Sequence, residues 1–134
     1  MTNNQTWSDL GVDEDICEVL LERSITSPFP IQTLTIPDAL SGRDVCGKAK
    51  TGSGKTLAFG IPMIQNLDST EKSSTADPRV LMLVPTRELA VQVSEELLPI
   101  TSVRGLKIAA IYGGANIETQ IKTIKKGIDL IAAT

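Results

Sequence analysis

Apolar and polar residues follow two patterns along the chain, and each pattern predicts one kind of element. Apolar positions that recur every three or four residues indicate helices. Such helices are expected from Asp13 to about Ser24, from about Ile31 to Leu40, from Leu57 through Ile64, from Thr86 to about Ile100, and from Asn116 through Ile124. We expect Pro62 to kink the third of these helices or to end it early, because proline lacks a backbone N–H.

Shorter apolar runs indicate strands. They are expected at Asp44–Gly47, Val80–Val84, Lys107–Tyr112 and Ile128–Ala132. The unbroken run Val80–Val84 is typical of a strand that is covered on both faces, as in parallel sheets. Residues 69–79 are polar and predict a surface connection. Strands that alternate with helices imply right-handed βαβ units around a parallel sheet, so the expected fold class is α/β.

A stretch of small residues stands between the first predicted strand and the third predicted helix. It consists of Ala49, Lys50, Thr51, Gly52, Ser53, Gly54, Lys55 and Thr56. Small residues let successive backbone N–H groups point at one anion, and the positive end of the following helix adds to that field. The stretch therefore predicts a phosphate-binding loop, in which Lys55 reaches the β- and γ-phosphates of a nucleotide and the Thr56 hydroxyl ligates Mg²⁺.

One position departs from the simplest form of this motif, which has glycine where the chain has Ala49. Alanine fits there if the position does not require a positive φ. The alternative interpretation is a Gly/Ser-rich turn that happens to precede a Lys-Thr pair.

Composition limits the chemistry. The 134 residues include no histidine, and the two cysteines, Cys17 and Cys46, form no cluster with other ligands. This excludes a zinc site or a histidine base. The net charge of −3 argues against binding nucleic acid through a bulk positive field. Basic residues outnumber acidic ones after Ile100, where we expect any polyanion contact, although solvated helix faces alone would produce the same asymmetry.

Nothing in the chain indicates a membrane protein. No apolar run approaches the roughly 18 residues that a membrane span needs. The first five residues have neither the positive charge nor the apolar block of a secretory signal. A cytoplasmic location is the resulting expectation.

Further motifs stand at fixed places around the phosphate loop. Pro85–Ala90 reads Pro-Thr-Arg-Glu-Leu-Ala, Gly113 and Gly114 follow a predicted strand, and Ser24–Gln32 precedes the loop. With Ala49–Thr56 in its AxTGSGKT form, these segments resemble the N-terminal RecA-like domain of DEAD-box ATP-dependent RNA helicases. The resemblance runs from Trp7 to Thr134.

The resemblance implies an adenine sensor upstream of the loop. Ser24–Gln32 stands in the place of the family's Q motif, and Trp7 at the position of its isolated upstream aromatic. Gln32 would then recognise adenine, because a side-chain amide can both donate to and accept from the edge of that base. The segment departs from the family at Ile25, where an aromatic ring is usual, and at Phe29, where threonine is common. We expect Ile25 to cover the base by dispersion, with a weaker adenine affinity.

The resemblance also implies contacts to the sugar-phosphate backbone of single-stranded RNA. The residues implied are Pro85, Thr86, Arg87, Gly113, Gly114 and Thr134, the last of which would open motif Ib. Backbone amides, a hydroxyl and an arginine can position phosphates without reading sequence. Considered alone, Arg87 and Glu88 could equally form a surface ion pair, and the glycines could be ordinary turn residues.

The resemblance divides the chain into a Q-motif segment, residues 1–42, and a partial RecA-like ATP-binding domain, residues 43–134. The family's DEAD sequence, its SAT motif and its second RecA-like domain do not occur in these 134 residues. We therefore expect them in a full-length protein. The 134 residues alone are expected neither to hydrolyse ATP nor to form a stable domain.

The leading hypothesis is part of a helicase that couples ATP binding and hydrolysis to RNA duplex unwinding. One alternative is a nucleotide- or RNA-binding module without turnover. Another is a different P-loop enzyme, such as a nucleotide kinase.

Overall fold

The computed structural model describes residues 4–67 and 77–134. The chain groups into two compact units, Met1–Asn66 and Leu67–Thr134, which we call the N-terminal unit and the C-terminal unit. Most of the predicted connection at 69–79 lies outside the described residues. The predicted domain boundary after residue 42 stays a prediction. Within the described ranges, no helix combines the length and the apolar character required to cross a membrane.

The N-terminal unit is helical. A short 3₁₀ turn, Ser8–Leu10, precedes helices α1 (Glu14–Glu22), α2 (Pro30–Leu40) and α3 (Lys55–Gln65). Helices α1 and α3 bury apolar residues at helical spacing, whereas the buried face of α2 includes the polar residues Gln32 and Thr35. Helix α2 packs against α3. The predictions of helices over Asp13–Ser24, Ile31–Leu40 and through Ile64 are confirmed to within a few residues.

Prolines mark these helices in two ways. Pro30 is the first residue of α2, where a missing N–H costs nothing because the first helical N–H groups have no intrahelical partner. Pro62 lies inside α3, and the helix nevertheless continues to Gln65. The expectation that Pro62 ends the helix early is wrong. Ile61, Pro62 and Ile64 are all buried, and we infer that this packing offsets the lost hydrogen bond.

The predicted strand at Asp44–Gly47 is absent. Residues 43–50 belong to no helix or strand, and no described residue forms a ladder with them. A strand exists only through hydrogen bonds to a neighbour. The local apolar pattern could not show whether such a neighbour is present.

The C-terminal unit contains a three-stranded parallel sheet. Its elements are β1 (Val80–Leu83), α4 (Arg87–Val103), β2 (Ile108–Ile111), α5 (Ile117–Lys125) and β3 (Leu130–Ala133). The strand order is β1-β3-β2, with Leu130 opposite both Val80 and Ile108. Strands alternate with helices as the sequence pattern predicts, and the α/β class is confirmed.

One face of β1 is uncovered. Leu81 is 60% exposed and Leu83 is 74% exposed, whereas Val80 and Met82 are half-buried. The prediction of a strand covered on both faces is wrong for β1. Helix α4 packs against β2 and β3, and the central strand β3 carries the most buried positions of the sheet.

Candidate functional site

The predicted phosphate loop of the N-terminal unit is a curled backbone that leads into α3. Gly52 and Gly54 have φ values of +80° and +87°, which glycine adopts without steric cost. Gly54 is the N-cap of α3, so the first N–H groups of that helix lie directly after the loop. The Lys50 carbonyl accepts hydrogen bonds from the Ser53 backbone N–H, at 3.2 Å, and from the Ser53 hydroxyl. Lys55 is exposed and Thr56 half-buried at the start of the helix.

Gln32 joins the segment before α2 to this loop. Its Nε2 donates to the Gly54 carbonyl at 3.1 Å, and its Oε1 accepts from the Phe29 backbone N–H at 2.6 Å. The side chain is 1% exposed. An amide group offers two N–H donors and two acceptor lone pairs, so one of each remains after these bonds. The structure thus brings predicted base-reading and phosphate-binding residues into direct contact.

Gly54 sits where two side chains converge. A Cβ on Gly54 would overlap Gln32 Nε2 and would lie 3.0 Å from Phe29 Cδ2. Together with its positive φ, this close approach means that only glycine fits the position without displacing its neighbours.

Ile25 is fixed through its backbone. The indole Nε1 of Trp7 donates to the Ile25 carbonyl at 3.1 Å, and Trp7 is buried. The isolated upstream aromatic therefore anchors the start of the segment that leads to Gln32. The Ile25 side chain is half-buried.

The residues available for a metal are few. Among the described residues, no three His, Cys, Asp or Glu side chains form a group that could hold a metal ion. Mg²⁺ commonly binds one or two protein groups and takes its other ligands from phosphates and water. A single hydroxyl at Thr56, the last residue of the predicted phosphate loop, fits that mode and not a site built of protein ligands alone.

In the C-terminal unit, the segment after β1 is arranged by a helix cap. The Thr86 side chain accepts from the Leu89 N–H at 3.2 Å, as predicted for a cap. Pro85, Thr86 and Arg87 are exposed. Arg87 Nε lies 3.2 Å from Glu88 Oε1. Hydrogen bonds from its own backbone N–H and from Arg87 hold the pKa of the Glu88 carboxyl below its ordinary value.

The structure brings Arg87 to the glycine pair. A Cβ on Gly114, whose φ is +86°, would lie 3.1 Å from Arg87 Nη1. Gly113, Gly114 and Thr134 line one cleft of about 460 Å³, whose walls include Ile117 and Ile121 of α5. All six predicted RNA-contacting residues are exposed. The Thr134 backbone N–H also donates to the Ile111 carbonyl at 3.3 Å.

Gln120 is a residue that sequence reasoning missed. Its Oε1 accepts from the Tyr112 N–H at 2.8 Å and its Nε2 donates to the Tyr112 carbonyl at 3.1 Å. This pair of bonds fixes the backbone directly before Gly113 and Gly114. A glutamine on the helix that follows a glycine turn was the available signal, but its partner could not be identified from spacing alone.

Comparison with known proteins identifies the family. The family model described as DEAD/DEAH box helicase matches residues 29–134. The chain is 43% identical over 130 residues to the ATP-dependent RNA helicase DeaD of Escherichia coli strain K12, covering 96% of this chain and 20% of that protein. It is 44% identical over 131 residues to the pre-mRNA-processing ATP-dependent RNA helicase PRP5 of Lodderomyces elongisporus, covering 96% of this chain and 13% of that protein.

Solved structures show the same fold. A DEAD box protein from the hyperthermophile Methanococcus jannaschii aligns with a TM-score of 0.86 and 33% identity, over 96% of this chain and 34% of that one. The RNA helicase Prp28 from Chaetomium thermophilum, bound to ADP, aligns with a TM-score of 0.88 and 32% identity, over 100% of this chain and 33% of that one. The chain thus spans about a fifth or less of the curated relatives' length and about a third of the solved chains. Because the family model covers more than half of its residues, this chain belongs to the DEAD/DEAH box helicase family.

Proposed function

We propose that this chain is the nucleotide-binding and RNA-contacting part of an ATP-dependent RNA helicase, which couples ATP binding and hydrolysis to the unwinding of RNA duplexes. The names of its relatives support this proposal, since DeaD and PRP5 are both described as ATP-dependent RNA helicases.

The observation that carries the proposal is the hydrogen bond between Gln32 and Gly54. It joins the side chain that would recognise the base to the loop that would bind the phosphates. Adenine presents a donor at N6 and an acceptor at N7, and the remaining lone pair and N–H of the Gln32 amide are complementary to that pair. Guanine presents two acceptors at the same edge. Gln32 would therefore favour ATP over GTP.

The phosphates would bind at the start of α3. Backbone N–H groups of the loop from Ala49 to Gly54 and the positive end of α3 favour an anion there. The exposed Lys55 would place its charge at the β- and γ-phosphates, and the Thr56 hydroxyl would be a ligand of Mg²⁺. When bound, Mg²⁺ would neutralise part of the phosphate charge. In these roles Lys55 and Thr56 are the catalytic residues of the proposal.

The RNA would contact the C-terminal unit. Pro85, Thr86 and Arg87 and the pair Gly113 and Gly114 expose backbone groups, a hydroxyl and a guanidinium. Groups of these kinds bind phosphates and riboses and do not distinguish one base from another. Thr134 lines the same cleft as the two glycines. Gln120 would act as a positioning residue, because its two bonds to Tyr112 hold the backbone that leads to the glycines.

The test is RNA-stimulated ATP hydrolysis by the full-length protein and its Lys55→Ala variant. We expect Lys55→Ala to abolish turnover, because the γ-phosphate loses its charged partner. The control is Lys48→Ala, which removes another exposed lysine just ahead of the loop. Near-normal turnover in Lys55→Ala would contradict the loop assignment. ATP binding by the unmodified protein without any RNA-stimulated hydrolysis would instead support a binding module.

A further inference from the structure

Phe29 is an exposed aromatic residue in the N-terminal unit. Its side chain is 55% exposed, whereas Trp7 is buried and Phe59 is half-buried in α3. A ring with this exposure contributes little to a core, and it leaves an apolar face in water. Phe29 is also the N-cap residue of α2, and its side chain cannot form the hydrogen bond that an N-cap side chain normally provides.

The ring lies beside both groups that the proposed function assigns to the nucleotide. Phe29 Cδ2 and Gln32 Nε2 both lie within 3.0 Å of the position that a Cβ on Gly54 would take. The Phe29 backbone N–H is itself bonded to Gln32 Oε1. The ring, the amide and the last glycine of the predicted phosphate loop therefore form one cluster, in which the Phe29 ring is exposed to solvent.

We propose that Phe29 supplies an aromatic face for the nucleobase. The inference rests on the proposed function and assigns the source of base affinity within that same site. Gln32 reads the edge of the base, and an edge contact alone leaves both faces of the purine to be covered. Ile25 has no ring. Of the other aromatic side chains described in the N-terminal unit, Trp7 is buried and Phe59 is half-buried in α3.

Edge and face contacts have different signatures. Stacking on an aromatic ring tolerates any base, because every base has a π-face. Hydrogen bonding to the edge distinguishes adenine from guanine. Phe29 would thus set the affinity for purine nucleotides, and Gln32 would set the ratio between ATP and GTP.

The experiment measures dissociation constants of ATP, GTP and inorganic triphosphate for the full-length protein and three variants. We expect Phe29→Leu to weaken ATP and GTP binding by about 5- to 10-fold each, which is the low end for loss of a base–aromatic stack. Inorganic triphosphate, which has no base, should bind as before. Phe29→Tyr keeps the ring and should bind ATP normally. Leu34→Ala, at another exposed apolar residue of α2, is the matched control.

Two results would overturn the inference and leave the proposed function standing. One is an unchanged ATP affinity in Phe29→Leu, and the other is an equal loss for ATP and triphosphate, which would mean that the ring only shapes the loop. If the unmodified protein binds ATP no more tightly than inorganic triphosphate, both this inference and the proposed function fail.

A second measurement does not require Phe29→Leu to fold. The full-length protein is labelled with 4-fluorophenylalanine, and the Phe29 resonance is assigned by its loss in Phe29→Leu or, if that variant does not fold, in Phe29→Tyr. We expect ATP to shift this resonance and triphosphate to leave it in place. A resonance that responds equally to both ligands would contradict a base contact.

Discussion

The two units expose their candidate binding groups in opposite ways. In the N-terminal unit the side chain proposed to read the base, Gln32, is buried, and both ends of its amide are bonded to backbone groups. In the C-terminal unit Arg87 is exposed, and it forms an ion pair with the exposed neighbour Glu88. The first arrangement fixes a hydrogen-bonding edge before any ligand arrives. The second arrangement leaves the Arg87 guanidinium at the surface, where it can adjust its position to a phosphate.

This difference matches what each unit would have to recognise. Discrimination between two purines depends on donors and acceptors held at fixed positions, since a mobile amide could rotate to suit either base. Contact with a sugar-phosphate backbone needs charge and N–H groups but no base code. The comparison predicts that substitutions in the N-terminal unit act on nucleotide binding and those in the C-terminal unit on RNA binding.

The largest expected effect is that of Gly54→Ala. The added Cβ would collide with Gln32 Nε2, and alanine would have to hold a φ of +87°. The left-handed conformation alone costs about 1–2 kcal/mol. We expect ATP binding to fall by about 100-fold or more, measured by titration calorimetry, because the phosphate loop and the amide are displaced together.

Gly52→Ala is the matched control for this substitution. Gly52 has a similar φ of +80°, but a Cβ there would meet nothing within 4 Å. It should show the conformational cost without the displacement of Gln32, and therefore a much smaller loss of ATP affinity. Equal losses of ATP affinity in the two variants would show that the contact between Gly54 and Gln32 does not contribute to ATP binding.

The next largest effect is expected for Arg87→Ala. A hydrogen bond to a charged group contributes about 1.5–3 kcal/mol, so we expect RNA affinity to fall by about 10-fold or more. The slope of log affinity against log salt should become shallower by about one phosphate contact. ATP affinity without RNA should be unchanged. An unaltered RNA dependence would remove Arg87 from the proposed interface.

Glu88→Gln is the control for Arg87, because it removes the ion-pair partner and keeps the cation. RNA binding should be maintained in this variant. The pKa of Glu88 is lowered in the folded state, so any stability from this pair is present above the unfolded pKa and is lost as the pH falls through the folded value. The pair therefore persists at neutral pH, and the comparison should be made there.

A smaller effect is expected for Gln120→Ala. The two bonds to Tyr112 fix the backbone before Gly113, and one ordinary hydrogen bond contributes about 1 kcal/mol. We expect RNA affinity to fall by about fivefold, with ATP affinity unchanged. Gln92→Ala, at an exposed glutamine of α4, is the control. The RNA affinity of Gln120→Glu should lie between those of Gln120→Ala and Gln92→Ala, since a carboxylate can still accept from the Tyr112 N–H. A normal RNA affinity in Gln120→Ala would show that the two bonds to Tyr112 are not needed to position Gly113 and Gly114.

Local chemistry explains which elements could be predicted from sequence. Thr86 and Asn116 cap α4 and α5 as expected, because a cap bonds to N–H groups two or three residues away. The strands of the C-terminal unit follow from apolar runs. The strand expected at Asp44–Gly47 failed because a strand needs a partner that no local pattern reveals.

The candidate sites were predictable in part for the same reason. The order of residues from Ala49 to Thr56 predicts a phosphate loop without knowledge of the fold. The contact of Gln32 with Gly54, 22 positions later, and that of Gln120 with Tyr112 depend on how helices pack. Equally, nothing in the order of residues shows that the ring of Phe29 would face solvent beside Gly54.

The most direct test of the account is the ratio of ATP to GTP affinity in the full-length protein, with and without Gln32→Leu. Leucine keeps much of the buried volume and removes the amide. We predict that the unmodified protein prefers ATP by about 10-fold or more, which corresponds to about 1.4 kcal/mol, and that Gln32→Leu loses this preference. Equal affinity for the two nucleotides in the unmodified protein would contradict the central claim that a buried amide, bonded to the phosphate loop, selects adenine.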